Sequence, residues 1–377
     1  MISGTSAPPV SGSISVALCT YNGDRYLAEQ LRSLVDQTLR PSELVVVDDG
    51  SSDGTEVIVR DFAATAPFPV RWCRNESRLG VVRNFQRAIG MTRSEVIFLC
   101  DQDDVWLPEK IEKTVALFDS PEVLMVHTDG RLVDATLRDL GVGLLEALEL
   151  AAWERELFER ERGYEVLLRR SLVTGATAAV RRSLYDAALP FAQGWVHDEW
   201  LAVLAALLGR VRRVDLPLLL YRQHGRNQIG ARKRSWSERY VPRSRWGREL
   251  HRARARLLQE VRHHIATRGL AVLEPRRREL DEAICHAQFR AEVPQPLAHR
   301  FLAVMRELAS GRYRRYSNGW KGALRDLVEP SLPEPGGGSG GRRSLPAEQP
   351  VPHAAEQRTE PSPPRRDLRH ETRTKPE

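Results

Sequence analysis

The stretch Phe98-Leu99-Cys100-Asp101-Gln102-Asp103-Asp104-Val105-Trp106 decides how the chain is read. An apolar run from Val96 to Cys100 has the length of a buried strand, and three carboxylates follow it. In an open α/β sheet, ligands bind in the crevice beyond the C-terminal ends of the strands. The Asp101-x-Asp103 pair offers hard oxygen donors of the kind that suit Mg²⁺ or Mn²⁺ holding a diphosphate. Taken alone, the same residues also read as a solvated acidic turn capping a helix that begins near Pro108.

Upstream, short strands alternate with helices. Ile14 to Cys19 is an apolar strand ending in the turn Thr20-Tyr21-Asn22-Gly23. Arg25 to Val35 has helical spacing in Leu27, Leu31, Leu34 and Val35. Glu43 to Val47 is a second strand, ending in Asp48-Asp49-Gly50-Ser51-Ser52-Asp53-Gly54-Thr55, with a helix to about Ala64. Val70 to Cys73 is a third, and the loop Asn75-Glu76-Ser77-Arg78-Leu79-Gly80 leads into a helix through Gly90. The pattern predicts an α/β fold, an open and mostly parallel sheet with helices on both faces. Three of its strands end in ligand-type residues (Thr20-Tyr21-Asn22, Asp48-Asp49 and Asp101 to Asp104), and in a parallel sheet those ends share one side. No Gly-x-Gly-x-x-Gly follows the first strand and no Gly-Lys-Ser/Thr loop occurs, which disfavours a dinucleotide fold and a P-loop.

Downstream, the pattern predicts a helix over Ile111 to Phe118 and a strand over Val123 to His127. Leu144 to Arg170 reads as a long, charged surface helix, and Leu172 to Val180 as a small, β-like segment whose Gly175 admits a ligand or another backbone. Gly194-Trp195-Val196-His197-Asp198-Glu199-Trp200 opens an apolar helix, Leu201 to Leu208. Val211 to Leu220 gives one or two strands, and Tyr221-Arg222-Gln223-His224-Gly225 closes the α/β part. Further helices are expected over Trp246 to Thr267, with Leu250, Leu257, Val261 and Ile265 on its apolar side, over about Arg276 to Arg290, and over Leu297 to Leu308. Beyond Pro330, Pro, Gly, Ser and mixed charge predict disorder. The expected organisation is thus 1–13 flexible, 14–230 an α/β domain, 231–330 a helical segment and 331–377 a tail.

The 377 residues are 41% hydrophobic, enough for a sizeable core. No apolar run reaches the roughly 18 to 20 residues that cross a bilayer. Met1 to Ser13 has no basic start or long apolar centre, so no signal peptide is expected there. Cys19, Cys73, Cys100 and Cys285 lack metal-like spacing and read as reduced, which makes the cytoplasm the expected compartment. The net charge of +7 is uneven: 26 basic and 32 acidic residues in 1–230 leave −6, and 23 and 11 in 231–330 leave +12. A basic segment of this kind suits an anionic surface, with Arg248, Arg252 and Arg256 as contacts, or is simply solvated. It lacks interleaved aromatics, so nucleic acid is not expected as a partner.

Four pieces, Cys19 to Gly23, Val46 to Thr55, Asn75 to Gly80 and Asp101 to Asp104, together resemble the family 2 glycosyltransferases, inverting enzymes with the GT-A fold. The resemblance is tight over 14–118 and looser to about 230. Asp101-Gln102-Asp103-Asp104-Val105-Trp106, His197-Asp198-Glu199-Trp200, Tyr221-Arg222-Gln223-His224-Gly225, and Tyr316-Ser317-Asn318-Gly319 with Arg325-Asp326-Leu327 are similar to bacterial rhamnosyltransferase-like members. Many of these act in O-antigen, capsule or other cell-surface polysaccharide assembly. The Gln-x-x-Arg-Trp motif of processive synthases is absent.

This resemblance implies a metal-dependent, non-processive enzyme that moves one sugar from a dTDP- or UDP-sugar to a glycan or lipid-linked acceptor. Rhamnose from dTDP-rhamnose is its leading donor; glucose or galactose from UDP donors is the alternative. It implies Asp103, helped by Asp101, as the holder of Mg²⁺ or Mn²⁺ at the diphosphate, with Asp104 capping the next helix. Asp49, or alternatively Asp48, would accept the ring N–H of uracil or thymine, with Tyr21 stacked on the base and Thr20 bonding nearby. Turn chemistry with Gly50 is the plain reading of both acids. Arg78 would approach the phosphates, and His224 the diphosphate or metal. Asp198 matches the carboxylate of the subgroup's His-Asp-Trp-Trp motif, a general base on a helix start. Glu199 replaces a Trp of that motif and leaves the base open between the two. Trp195 and Trp200 face a sugar or sit in the core. The rivals are a sugar-nucleotide pyrophosphorylase, disfavoured by its missing Gly-rich signature, and a non-catalytic glycan-binding module, disfavoured by intact Asp103 and Asp198.

Overall fold

β1 (Ile14–Thr20), β2 (Glu43–Asp48), β3 (Val70–Arg74) and β4 (Val96–Cys100) are joined by α1 (Leu27–Val35), α2 (Thr55–Thr65) and α3 (Val81–Met91). They run parallel in the spatial order β3-β2-β1-β4. Parallel neighbours need crossover helices, and those helices cover both faces of the sheet. This is why the strands appear in the sequence as unbroken apolar runs. Ala17, Cys19, Val45, Val47, Ile97 and Leu99 join the core that contains Phe85 and Ile89 of α3. Val16, Leu18, Val46, Phe98 and Cys100 join the core that contains Leu27, Leu31 and Leu34 of α1. The structure, a computed structural model, describes residues 13–224, 247–294 and 296–328. Gly225 and Trp246, named above, lie outside them.

Beyond β4 come β5 (Val105–Trp106), α4 (Lys110–Val115), β6 (Val123–Val133), β7 (Asp139–Gly143), α5 (Leu144–Ala147), α6 (Ala152–Glu159), α7 (Gly163–Arg169), β8 (Ala178–Arg181), α8 (Arg182–Ala188), α9 (His197–Leu208) and β9 (Arg210–Arg222). β8 runs antiparallel between β4 and β6, β9 runs parallel to β6, and β5 ends the sheet antiparallel to β9, while β7 pairs with β6. The sheet is α/β with a parallel half and a mixed half. Several sequence expectations change here. β5 and β7 were not anticipated, β6 continues to Val133, and Val211 to Leu220 lies within one strand. Of Leu172 to Val180, only the end is strand; Gly175–Thr177 is a 3₁₀ turn. The expected long surface helix over Leu144 to Arg170 is three short ones. Glu149 and Glu161 adopt left-handed backbone (φ 56° and 59°) and break it, and Val166, Leu167 and Leu168 are core residues.

Five helices follow: α10 (Gly247–Thr267), α11 (Glu274–Ala291), α12 (Leu297–Ala309), α13 (Arg312–Tyr316) and α14 (Trp320–Val328). α10 buries Ala255, Leu258, Val261 and Ile265. Leu250, expected on that side, is 62% exposed, and Leu257 is half-buried. Arg252 pairs with Glu249 on its own helix. Leu258, Val261, Leu280 and Ile284 share one core with α9. A second, small core forms from Val293, Val304, Tyr313 and Ala323. Beside it, Arg290 donates to Asp326 from Nε (2.7 Å) and Nη2 (2.8 Å), and the Tyr313 hydroxyl donates to the same carboxylate (2.6 Å). Glu307 accepts from His286 and Arg312; although burial opposes its charge, these bonds hold its pKa at about 2. No described helix is long and apolar enough to cross a membrane.

Removing one partner of a buried, hydrogen-bonded ion pair leaves the other uncompensated. Asp326→Ala is expected to cost about 3–5 kcal/mol in urea unfolding; a loss below about 1 kcal/mol would show that water replaces the carboxylate. Glu307 is held below its usual 4.5, so its contribution is present above that value and lost as pH falls towards about 2. Glu307→Gln is expected to show a flatter stability profile over that window.

Candidate active site

The parallel register places the ends of β1, β2 and β4 on one edge: Thr20 pairs with Asp48, and Leu18 with Cys100. Asp48 is fully buried and its oxygens are taken. Oδ1 accepts from the hydroxyls of Thr20 (2.9 Å) and Ser51, and Oδ2 from the N–H groups of Ser51 (2.8 Å) and Gly50 (3.2 Å). Asp49 instead holds the loop before α3. Oδ1 accepts from the Leu79 N–H (2.7 Å) and Asn75 Nδ2 (2.8 Å), and Oδ2 from the Gly80 N–H (2.9 Å). Gly80 turns that N–H inward through a left-handed backbone (φ 79°) that a side chain would strain. By lone-pair count Asp48 is saturated, and Asp49 keeps one acceptor position on Oδ2. Thr20's hydroxyl hydrogen is spent on Asp48. Tyr21 is 37% exposed, and the Arg78 guanidinium lies over its ring, 4.0 Å from the centroid.

Gln102, to which the sequence reading gave no role, fastens this turn to the acidic one. Its Oε1 accepts the Tyr21 N–H (2.8 Å) and its Nε2 donates to the Tyr21 carbonyl (3.1 Å). Gly23 admits the amide: a Cβ there would stand 2.3 Å from Gln102 Oε1.

Across the edge, carboxylates accumulate. Burial, then the charges of Asp103 and Asp198, push Asp101 up to about 7. Asp104 does not cap a helix. It is buried, accepts the Arg222 N–H on Oδ1 (3.0 Å), and is raised by burial and by Asp103 and Asp101. The buried Tyr221 phenol is raised by burial and then by the charges of Asp104, Asp101, Asp103 and Asp198. Lys110 donates to the Ala176 carbonyl (2.6 Å), and burial lowers it to about 8. Arg222, 1% exposed, donates from Nε to the Asp103 carbonyl (2.7 Å) and from Nη1 to Ala135 (2.8 Å), and pairs with Glu29.

His224 Nε2 lies 2.9 Å from Asp103 Oδ2, and its ring stacks on Tyr26. Among the described residues, no three His, Cys, Asp or Glu side chains converge as a ready-made metal cage. Mg²⁺ or Mn²⁺ at a diphosphate does not need one, since one or two protein donors are completed by phosphate oxygens and water. Asp103 and His224 supply two donors in contact, and Asp101 a third carboxylate nearby. Burial, and then the charges of Asp103 and Asp198, disfavour the Asp101 carboxylate, and a divalent cation beside it would offset both. The residues fit the ion.

Asp198 is not an N-cap: α9 starts at His197 with Val196 before it. Asp198 Oδ2 accepts the Gly175 N–H (2.8 Å) and Oδ1 the Glu199 N–H (2.7 Å). Its neighbour His197 is buried against Phe85, ring centroids 4.0 Å apart, and burial lowers its pKa. A Cβ on Gly175 would meet His197 Nε2 at 2.7 Å, so this glycine is required for the close approach. Glu199 turns the other way and pairs with Arg254 of α10 (2.5 Å), which also donates to the Leu167 and Leu168 carbonyls. Trp195 and Trp200 are 3% and 0% exposed and belong to the core rather than to a sugar site.

A mixed α/β sheet with acids gathered at its strand ends, backed by C-terminal helices, defines the GT-A class. Staphylococcus aureus TarS residues 1–349, solved in complex with UDP-GlcNAc, shares the fold with a TM-score of 0.50 at 17% identity, over 84% of this chain and 88% of that one. Residues 15–189 match the family described as Glycosyl transferase family 2. An uncharacterized glycosyltransferase of Nostoc sp. is 26% identical over 228 residues, 57% of this chain and 66% of the relative. The uncharacterized glycosyltransferase YwdF of Bacillus subtilis is 27% identical over 234 residues, 60% of this chain and 82% of the relative. The chain thus spans just under two thirds of the Nostoc protein's length.

Gln102→Ala is expected to loosen the Tyr21 turn. UDP or dTDP affinity, measured by calorimetry with Mn²⁺, should fall about tenfold, while stability changes by less than about 1 kcal/mol. A stability loss with unchanged affinity would make Gln102 structural only.

Proposed function

We propose that the chain is an inverting, metal-dependent, non-processive glycosyltransferase, with rhamnose from dTDP-rhamnose as its donor sugar and a cell-surface glycan or lipid-linked acceptor at the cytoplasmic face of the membrane. The catalytic domain is assigned to about 14–230, with the basic helical segment as its C-terminal part. One observation carries the reading: Asp101, at the end of β4, lies in the field of both Asp103 and Asp198, and Gln102 beside it holds the Tyr21 turn.

In this reading Asp49 accepts the ring N–H of uracil or thymine on its remaining position, while Asp48 and Thr20 hold the turn. Tyr21 gives the base a face, and Arg78 braces that ring. Asp103 and His224, with Asp101 behind them, hold Mg²⁺ or Mn²⁺. When bound, the ion neutralises charge developing on the leaving diphosphate. Asp198 is the general base. Two backbone N–H groups, of Gly175 and Glu199, fix its carboxylate. It takes the proton of the acceptor hydroxyl as that oxygen attacks the anomeric carbon from the face opposite the diphosphate, which inverts the centre. Glu199 is neutralised by Arg254 and serves as a tie to α10.

The test is donor hydrolysis by the purified chain against dTDP-rhamnose, UDP-glucose, UDP-galactose and UDP-N-acetylglucosamine, with Mn²⁺, Mg²⁺ or chelator. Metal-dependent release of dTDP from dTDP-rhamnose, lost in Asp103→Ala, is expected. Release of UDP from another donor would keep the mechanism and discard the sugar. Absence of nucleotide binding with metal present would overturn the enzyme reading in favour of a glycan-binding module.

The base assignment has its own readout, transfer to an acceptor identified in that screen. Asp198→Asn is expected to lower kcat about 10²–10⁴-fold with donor affinity retained. Glu199→Gln is expected to lower stability by about 3 kcal/mol, because it strands buried Arg254, and to change kcat less than about threefold. The reverse pattern would move the base to Glu199.

A further inference from the structure

Two helices of the C-terminal segment carry apolar stripes that cover nothing in the described structure. Leu297, Phe301 and Met305 of α12 recur at four-residue spacing, as do Trp320, Leu324 and Val328 of α14. These six side chains are between 41% and 71% exposed. Four-residue spacing puts each trio on one helix face. The two helices pack on one another, and Val304 and Ala323 of the same helices are buried in the small core while the six stripe residues stay exposed. The stripes are therefore an outer surface and not an unfinished interior.

The charges around them have one sign. From Leu297 to Val328, the exposed ionised side chains are Arg306, Arg314, Lys321 and Arg325. Among the described residues, none of the four has an ion-pair partner. The two acids of the same span, Glu307 and Asp326, are buried in ion pairs with Arg312 and Arg290. Apolar and aromatic side chains interleaved with unpaired cations match the boundary of an anionic bilayer, with aliphatic groups below the headgroups, tryptophan at their level and cations against phosphate.

We propose that the α12–α14 face docks the protein on the surface of a membrane rich in anionic phospholipid. A second copy of the chain fits this face less well, because a two-fold contact would bring the same unpaired cations towards one another. Residues 329–377 fit less well too. Their sequence has no Phe, Trp or Tyr and no net charge, so its composition offers nothing complementary to the cations. The surface differs from the Arg248, Arg252 and Arg256 stripe that the sequence suggested, part of which pairs with its own helix.

Sedimentation of the full chain with phosphatidylcholine vesicles, with and without phosphatidylglycerol, tests the assignment. Binding is expected only with phosphatidylglycerol, and it should weaken as salt rises. Lys321→Glu with Arg325→Glu is expected to reduce the partition coefficient at least about tenfold, and Phe301→Asp with Leu324→Asp to abolish binding. All four positions are exposed, so folding, checked by circular dichroism, should persist. Failure to bind phosphatidylglycerol vesicles overturns the proposal, as does equal binding by parent and variants. So does a parent dimer, seen by analytical ultracentrifugation, that Phe301→Asp with Leu324→Asp dissociates. Donor hydrolysis on the same samples separates this reading from the transferase one. A chain that binds vesicles but neither binds nor turns over any nucleotide sugar keeps the membrane face and loses the enzyme.

Discussion

Repulsion among like charges at the ends of β4 and α9 is the constraint that the surrounding structure answers. At an effective dielectric near 20, two unit charges about 4 Å apart repel by about 4 kcal/mol, so a cluster of acids does not assemble unaided. Here the fold supplies the compensation from behind. Arg222 is nearly inaccessible to water and grips the Asp103 carbonyl, its own N–H holds Asp104, and Lys110 lies within the field of Asp101. Burial and the neighbouring Asp103 and Asp101 raise Asp104, so its charge is disfavoured there. Asp101 still lies in the field of Asp103 and Asp198, and Lys110 only partly offsets it. A site built this way is poised for a cation or for a proton.

Part of this was legible in the sequence because it is local. Strands buried on both faces must be continuously apolar, and turns at their ends must be polar, so the positions of β1, β2 and β4 and their shared edge follow from residues within each segment. The residues that complete the site are not local. Gln102 reaches back 81 positions to Tyr21, Arg222 reaches Asp103 and Asp104 from the last strand, and Glu199 is claimed by Arg254 55 positions on. No periodicity within a segment announces such contacts. Likewise β5 has two residues and draws its order from β9, and the break at Glu161 is a backbone conformation that helical spacing over 144–170 hides.

The pairs Asp48/Asp49 and Asp198/Glu199 show what structure adds to chemistry. In the sequence each pair offers two equivalent carboxylates, and charge and size cannot separate them. Their surroundings do. Asp48 is saturated by its own turn, whereas Asp49 keeps an acceptor position; Glu199 is engaged in an ion pair with Arg254, whereas Asp198 is within the field of Asp101. Adjacent residues point to opposite sides of a strand end or a helix turn, so one of each pair is committed to scaffolding and its neighbour is available for chemistry.

The Glu199–Arg254 pair also bears on why the basic helices accompany the α/β part. Arg254 is held by Glu199 and by the last two carbonyls it reaches in α7, so α10 is joined to the first turn of the helix that carries Asp198. α11 and α13 in turn pack on α7, and α14 closes on Arg290 of α11 through Asp326. Helix packing and two charged contacts, Arg290–Asp326 and Arg254–Glu199, therefore link the outer helices to the mount of Asp198. Such contacts tolerate little displacement, because each broken one strands a charge away from water. In the proposed mechanism, where Asp198 meets an acceptor hydroxyl, the base gains from a firmly held mount, and α10 holds the first turn of its helix through Glu199.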